Sequence, residues 1–374
     1  MQRRTFLSLA SGLAVTTATR ASRPLYWEQT GQLPPTHSIV PVVGDGTWIW
    51  NEPPKDETGY LQPRSFDVSI GMEIMGRGDA VQIAATTPVP GEFPEQKIDA
   101  VEIKTEGCSA RVKQLAEGAS QLEIIAPEIA KGQVIRAVAQ FKMTLKKQYL
   151  GHTQERFPSR QAPPAEIRKS YLQDSPGIQV NDAKVKKLAL EIIGSEQHPW
   201  EQAASVARWI RNEIKPQLGI YTNVLTALDK RRGDCEEMAA VFVALCRAVN
   251  IPARLVWVPN HNWAEFYLQD EKGTGHWIPV HTACYHWFGW SGVHELVLQK
   301  GDRISHPQDR KTVRLLEDWM RWSGARPASR FVGIMEPVAS SGSSDAGPGA
   351  RQKAETGEWK LSGTHVANRY HRNG

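Results

Sequence analysis

The 374-residue sequence has little cysteine: Cys108, Cys235, Cys246 and Cys284 are its full complement, at irregular spacing. A disulfide framework is therefore excluded as the organising device. Beyond the first twenty or so residues there is no apolar run of about 18 residues, and mean hydropathy is −0.43, so a chain crossing a membrane many times is excluded. No GxGxxG, P-loop or HExxH pattern occurs, which leaves nucleotide-dependent chemistry and a zincin site without support. No cofactor is called for. The formal charge of +5 holds no concentrated basic face, so nucleic acid is not an expected partner.

What is present is ordinary globular material, with 40% hydrophobic and 23% charged residues, which rules out wholesale disorder. Thirteen tryptophans are many for this length, and aromatic weight of that kind goes into cores and ligand clefts. The length points to two domains plus tails.

The chain opens with a basic pair, an apolar stretch from Phe6 to Val15 and small residues ending near Ala18 or Ala21. That is the order of a secretory signal, with an N-terminal anchor or a buried helix as the alternative. Arg3-Arg4-Thr5-Phe6-Leu7 resembles the twin-arginine signal read by a translocase for folded proteins. Residues 1–21 are thus expected to be an export signal, and the protein to work in the periplasm or outside a bacterium. Loss of Arg3, Arg4 and Arg20 with the signal lowers the charge by three, from +5 to +2. No stable membrane span is expected after cleavage.

Residues 22–64 are rich in Pro, Gly and Trp without a period and read as an irregular lead-in. From Phe66 the pattern has period two: Phe66, Val68, Ile70, Met72 and Ile74 alternate with Asp67, Ser69, Gly71 and Glu73, as in a half-buried strand. Ile135 to Leu145 repeats it. Shorter runs at Val81–Ala85, Ile98–Lys104 and Leu122–Ala126 are separated by Pro and Gly clusters, so 65–150 is expected to be a β-sandwich domain. After Pro163-Pro164 the period becomes helical, at Lys184–Ile193, Pro199–Ile214 and Cys235–Val249. Strands follow at Ala253–Val258, Asn262–Leu268 and His276–Val280, with a Gly273-Thr274-Gly275 turn. Helices followed by an antiparallel sheet predict an α+β domain over 164–330. Residues 338–374, rich in Ser, Gly and Ala, read as a disordered tail.

The chemistry-bearing segment is Arg232-Gly233-Asp234-Cys235-Glu236-Glu237-Met238-Ala239-Ala240. Cys235 falls in the first turn of a helix capped by Asp234, where backbone N–H groups and the dipole favour a thiolate. Gly233 leaves room for a tight turn and for close approach of a substrate. Glu236 and Glu237 suit the helix start but partly offset the effect on the thiol. A small buried hydrophobe is the plainer reading of such a cysteine. Further on come His261-Asn262-Trp263-Ala264-Glu265 and Trp277-Ile278-Pro279-Val280-His281, on two strands whose hairpin sets His261 and His281 near one end of the sheet. Glu265 shares the strand side of His261 and reads as a buried partner or a rim salt bridge. His281, Cys284 and His286 form a local cluster that reads as metal-binding or, among Tyr285, Trp287, Phe288 and Trp290, as a packed loop.

These motifs, in this order, resemble the transglutaminase-like superfamily, with its papain-like core, over about Lys184 to Gly301. The Cys segment is similar to Gly-Asp-Cys-Glu-Glu-x-Ala-Ala, the next to His-x-Trp-x-Glu, and the third to Trp-x-Pro-x-Asp, whose last position His281 occupies. Pro88-Val89-Pro90 and Phe93-Pro94-Glu95-Gln96 resemble the β-rich domain preceding this core in exported bacterial members. The resemblance implies Cys235 as nucleophile and His261 as general base, acting on a peptide or carboxamide carbonyl of a peptide or protein substrate through a thioester. Water would then give hydrolysis, and a lysine amine cross-linking. The Cys235 N–H would donate to the oxyanion. Trp263 and Trp277 are expected to pack the sheet. His281 departs from the pattern: it can orient His261 but supplies no counter-charge. Two alternatives follow, a degenerate binding or scaffold protein on the same fold, and a metal site made by Cys235, His261 and His281.

Overall fold

The computed structural model describes residues 57–150, 154–217, 221–259, 261–283 and 288–338, together with the backbone of two short strands, β1 (Ser38–Ile39) and β2 (Trp48–Ile49). The export signal, most of the lead-in, the tail, and Cys284 and His286 lie outside the described residues.

Six strands come first: β3 (Gly59–Met75), β4 (Ala80–Val89), β5 (Gln96–Glu106), β6 (Ser109–Gln114), β7 (Ser120–Ile129) and β8 (Val134–Tyr149). The period-two pattern does what alternation requires. Phe66, Val68, Ile70, Met72 and Ile74 of β3 and Ile135, Ala137, Ala139, Phe141, Met143 and Leu145 of β8 are all buried. They join Ile83, Ala85, Leu122, Ile124 and Ala126 in one hydrophobic cluster between two antiparallel sheets. The lead-in ends earlier than the sequence suggested, since β3 starts at Gly59. A bulge between Leu61 and Arg64, with Gln62 in the left-handed region at φ 53°, hides the alternation there.

The α helices follow: α1 (Ala165–Tyr171), α2 (Ala183–Ile193) and α3 (Pro199–Glu213). A short parallel pair, β9 (Lys215–Pro216) and β10 (Arg232–Gly233), brackets α4 (Val224–Lys230) and leads into α5 (Cys235–Ala248). Helix α5 is buried on nearly every side from Met238 to Cys246, with α2, α3 and α4 against it. It lies on a four-stranded antiparallel sheet of order β13 (Gly275–Val280), β12 (His261–Gln269), β11 (Ala253–Val258) and β15 (Gln299–Lys300). Ala253, Leu255, Trp257, Ala264, Phe266, Leu268, Ile278 and Val280 form the helix-facing side. The opposite side carries Val256, Val258 and Trp263, packed with Val297 and Phe93.

The remaining strands are β14 (Trp290–Ser291), β16 (Ile304–Ser305), β17 (Thr312–Val313), β18 (Trp319–Gly324) and β19 (Ala328–Pro337). Three of them return to the first sheets. β14 pairs with β8, β18 with β4, and β19 with β3 along ten residues. The expected 164–330 span therefore ends in strands that hydrogen-bond to the N-terminal sheets. The class is α+β. Among the described residues, no helix is long and apolar enough to cross a membrane.

Candidate active site

The start of α5 is built from its own sequence. Asp234, in extended conformation, accepts the Glu236 N–H on Oδ1 at 2.9 Å. Its own N–H donates to Glu237 Oε2 at 2.9 Å, which closes a capping box. The glycine before it serves this box. A Cβ on Gly233 would fall 2.2 Å from the Glu237 Cβ, so the space the sequence reading reserved for a substrate is filled by Glu237.

Three carboxyl-bearing residues, Asp234, Glu236 and Glu237, thus neighbour Cys235 along the chain, and the two glutamates are handled differently. Glu236 is buried and held by Arg314 Nη2 at 2.5 Å, while Arg314 also lies over the Tyr221 ring at 4.2 Å. Burial, together with the neighbouring Asp234 carboxylate, pushes Glu237 up to about 8, so at neutral pH it keeps its proton. Cys235 itself is half-buried against the main core cluster.

His261 opens β12, and its ring sits 5.8 Å from that of His281, nearly parallel. The Trp263 indole stacks on His281 at 4.6 Å between centroids. Both imidazoles are buried. Burial lowers His261 to about 4, against an upward pull from the Asp234 carboxylate. Burial also drives His281 well below its ordinary value, and His261 beside it adds to the effect. Near pH 7 both rings are neutral. Phe242 of α5 meets Phe266 of β12, with ring centroids 6.2 Å apart. From that contact the helix runs back to Cys235 and the strand to His261. The Cys235 end of the helix and the His261 end of the strand therefore share one end of the sheet.

Glu265, on the same strand side as His261, is neither a histidine partner nor a rim salt bridge. It is fully buried between Arg254 (Nη2 at 2.7 Å) and Lys300 (Nζ at 2.7 Å), and Lys300 also meets Glu95 of the N-terminal sheets at 2.5 Å. The two cations hold the Glu265 carboxyl below the usual carboxylate range despite its burial. Arg254 in turn lies 3.9 Å from the Trp277 ring centroid. Sequence reasoning missed Arg254, Lys300, Glu95 and Arg314. Only Arg254 left a signal: the short turn between β11 and β12 puts it opposite Glu265. Among the described residues, no group of three or more His, Cys, Asp or Glu side chains is arranged to hold a metal ion, so Cys235, His261 and His281 do not make one.

A cysteine at a buried helix start, packed on a sheet whose next strands supply two histidines, defines a class of fold. Residues 186–282 match the transglutaminase-like superfamily, and the chain carries a domain of that kind. Among solved structures, a candidate cysteine protease from Cytophaga hutchinsonii shares the fold, with a TM-score of 0.54 at 15% identity, over 77% of this chain and 95% of that one. The periplasmic domain of TgpA from Pseudomonas aeruginosa matches at a TM-score of 0.30 and 15% identity, over 60% and 88% of the two chains. In sequence, the chain is 39% identical over 66 residues to the peptide-N(4)-(N-acetyl-beta-glucosaminyl)asparagine amidase of Gallus gallus. That stretch is 17% of this chain and 10% of the amidase, so the chain spans about a tenth of the enzyme's length.

Proposed function

We propose that this protein is an exported thiol-dependent acyl-transfer enzyme acting on peptide or carboxamide bonds, with Cys235 as nucleophile and His261 as general base. The observation that carries the reading is the seat of Cys235, at the N-terminus of a helix packed on the strand that His261 opens. His261 is neutral near pH 7, so it acts as a base during attack and not as half of a preformed ion pair. It takes the proton of the Cys235 thiol as sulfur attacks the carbonyl carbon. The imidazolium then gives that proton to the departing amine, and a thioester remains. Water, or a lysine amine, attacks the thioester while His261 accepts its proton, which regenerates the thiol and releases an acid or a new amide. His281 stacks beside His261 as a neutral orienting group.

The test is whether purified protein hydrolyses unfolded peptide substrates, or incorporates a fluorescent amine into them, and whether Cys235→Ala abolishes both. Turnover that survives Cys235→Ala overturns the assignment. A second reading, a binding domain that has lost catalysis, is favoured by one observation: the third position carries a buried neutral His281 in place of a carboxylate. Binding of peptide without turnover in wild type would establish it. Export is tested by fractionating cells that make the full chain. Replacing Arg3 and Arg4 with lysine should leave the protein in the cytoplasm.

A further inference from the structure

Two buried glutamine amides beside the four-stranded sheet are fully paired, as buried polar groups usually are. Gln96 donates to the carbonyls of Gly91 and Val297 and accepts the Val297 N–H, each at 2.8 Å. Gln299, on β15, donates to the Gly301 and Arg314 carbonyls and accepts the Leu316 N–H. Asn262 differs. It is 2% exposed, and among the described residues neither its Oδ1 nor its Nδ2 meets a hydrogen-bond partner. Its Cα partner across β11 and β12 is Trp257, 6% exposed, whose Nε1 is likewise unmatched. Thr282, two residues past the Val280 that pairs with Ala264, is also buried, and its Oγ1 is unmatched too. Along β12 the residues Ala264, Phe266 and Leu268 face α5, so alternation turns Asn262 to that side, where Trp257 also lies. Cys235 packs on the same cluster, which includes Trp257 and Ala283, and His261 directly precedes Asn262. The four unmatched atoms therefore lie at the end of the sheet where the helix begins.

We propose that Trp257, Asn262 and Thr282 form a substrate subsite beside Cys235 that takes a neutral side chain able both to donate and to accept hydrogen bonds, of the serine or asparagine kind. The chemistry of the three groups selects that class. The indole N–H only donates, while the Asn262 amide and the Thr282 hydroxyl each donate and accept. A hydrocarbon side chain would leave all four atoms unmatched, and a buried site built for hydrogen bonds rejects a group that cannot make them. An ionised side chain would give up its hydration to groups that carry no charge. The three residues determine specificity and take no part in moving a proton. The inference rests on the acyl-transfer reading for the reaction it serves, but the subsite itself is a matter of binding, which labelling of Cys235 reads without turnover.

The probes are dipeptidyl chloromethyl ketones, acetyl-X-glycyl and acetyl-glycyl-X, in which X is asparagine, serine, leucine or aspartate. Their rates of Cys235 alkylation are measured by mass spectrometry in wild type, Asn262→Leu, Trp257→Phe and Thr282→Val. Each replacement is close in shape to the residue it removes, and thermal unfolding verifies each fold. In wild type, asparagine or serine at one of the two positions should outpace leucine and aspartate there by about tenfold, the scale of one hydrogen bond made or lost in a buried site. Asn262→Leu should bring that ratio close to one, and Trp257→Phe and Thr282→Val should each lower it. A role confined to packing predicts an altered melting temperature with the ratio unchanged. Equal labelling by all probes in wild type, no labelling by any, or a ratio that all three variants keep overturns the assignment. A ratio near one in a wild type that turns over peptides through Cys235 removes the subsite and leaves the acyl-transfer reading standing. A ratio that the variants erase, in a protein that turns over no peptide or carboxamide, leaves the subsite standing and removes that reading.

Discussion

A helix that begins Asp-Cys-Glu-Glu puts three carboxyl groups beside one thiol in sequence, a composition that by charge alone would suppress the thiolate. The local structure removes the conflict residue by residue. Arg314 balances Glu236, Glu237 stays protonated, and the helix start supplies partial positive charge to Cys235. Arg314→Gln should therefore slow alkylation of Cys235 near pH 7, because the carboxylate next to it in sequence then lacks its counter-charge. Equal rates would show that Glu236 does not act on it. In wild type, Cys235 should label faster than the other described cysteines. Cys246 is fully buried, with its thiol driven well above the ordinary value, and burial also raises half-buried Cys108. Mass-spectrometric footprinting with comparable labelling at all three would count against an activated Cys235. Gly233→Ala should cost about 1–3 kcal/mol, the usual penalty for forcing extra volume into a packed site, because its Cβ meets the Glu237 Cβ. Chemical denaturation measures it.

At the scale of elements, the period of the apolar residues made α2, α3, α5 and the strands β3, β4, β5, β7, β8, β11, β12 and β13 legible. The motif order likewise pointed to the hairpin that joins His261 to His281, because β12 and β13 pair in register. What the sequence hid has physical reasons. Helices α1 and α4 are seven residues each, too short to display a period. Strand β6 is half-exposed and mixed in character. The ion pairs Glu236–Arg314, Lys300–Glu95 and Arg247–Asp302 join positions 55 to 205 residues apart, and no local pattern announces them. The last pair matters for stability. Arg247, on the final turns of α5, meets Asp302 through Nη2 at 2.9 and 2.8 Å, and Asp302 also accepts the Leu255 N–H at 3.2 Å. Both side chains are sealed from water. Asp302→Ala leaves a buried guanidinium uncompensated and should cost about 3–5 kcal/mol in denaturant unfolding. A change below about 1 kcal/mol, the level of an exposed pair, would mean that water reaches the guanidinium.

Across the whole molecule, buried carboxyl groups give stability two opposing slopes with pH. Glu265 is held below its ordinary 4.5 by Lys300 and Arg254, so its contribution is present above that value and is lost as pH falls through the lower, folded-state value. Glu237 and Glu295 behave oppositely. Burial raises each to about 8, so the folded chain retains protons that the unfolded chain releases above about 4.5. Their contribution is full below that value and declines as pH rises toward 8. Melting temperature should fall on both sides of mildly acid pH, and Glu295→Gln should flatten the alkaline slope. An unchanged slope in that variant would show that Glu295 is ionised in the folded protein.

The same scale shows why the transglutaminase-like segment cannot be separated from what surrounds it. Glu95, at the approach to β5, reaches Lys300 and through it Glu265 on the strand that His261 opens. Gln96 beside it exchanges two hydrogen bonds with the backbone of Val297, both at 2.8 Å. From the other end, β18 and β19 come back to complete the N-terminal sheets, and Met320, Trp322, Phe331 and Met335 pack on their shared core. A chain ending at Asp318 would lose these four side chains and bare the hydrogen-bonding edges of β3 and β4, which invites aggregation. We expect that chain to lose cooperative thermal unfolding and to bind a hydrophobic dye, although residues 186–282 remain intact. The loss should extend to Cys235, whose helix rests on a sheet that these contacts hold against the N-terminal half. A truncated protein that melts at the wild-type temperature and keeps the wild-type Cys235 alkylation rate would show instead that the transglutaminase-like segment folds and orders its site without the sheets around it.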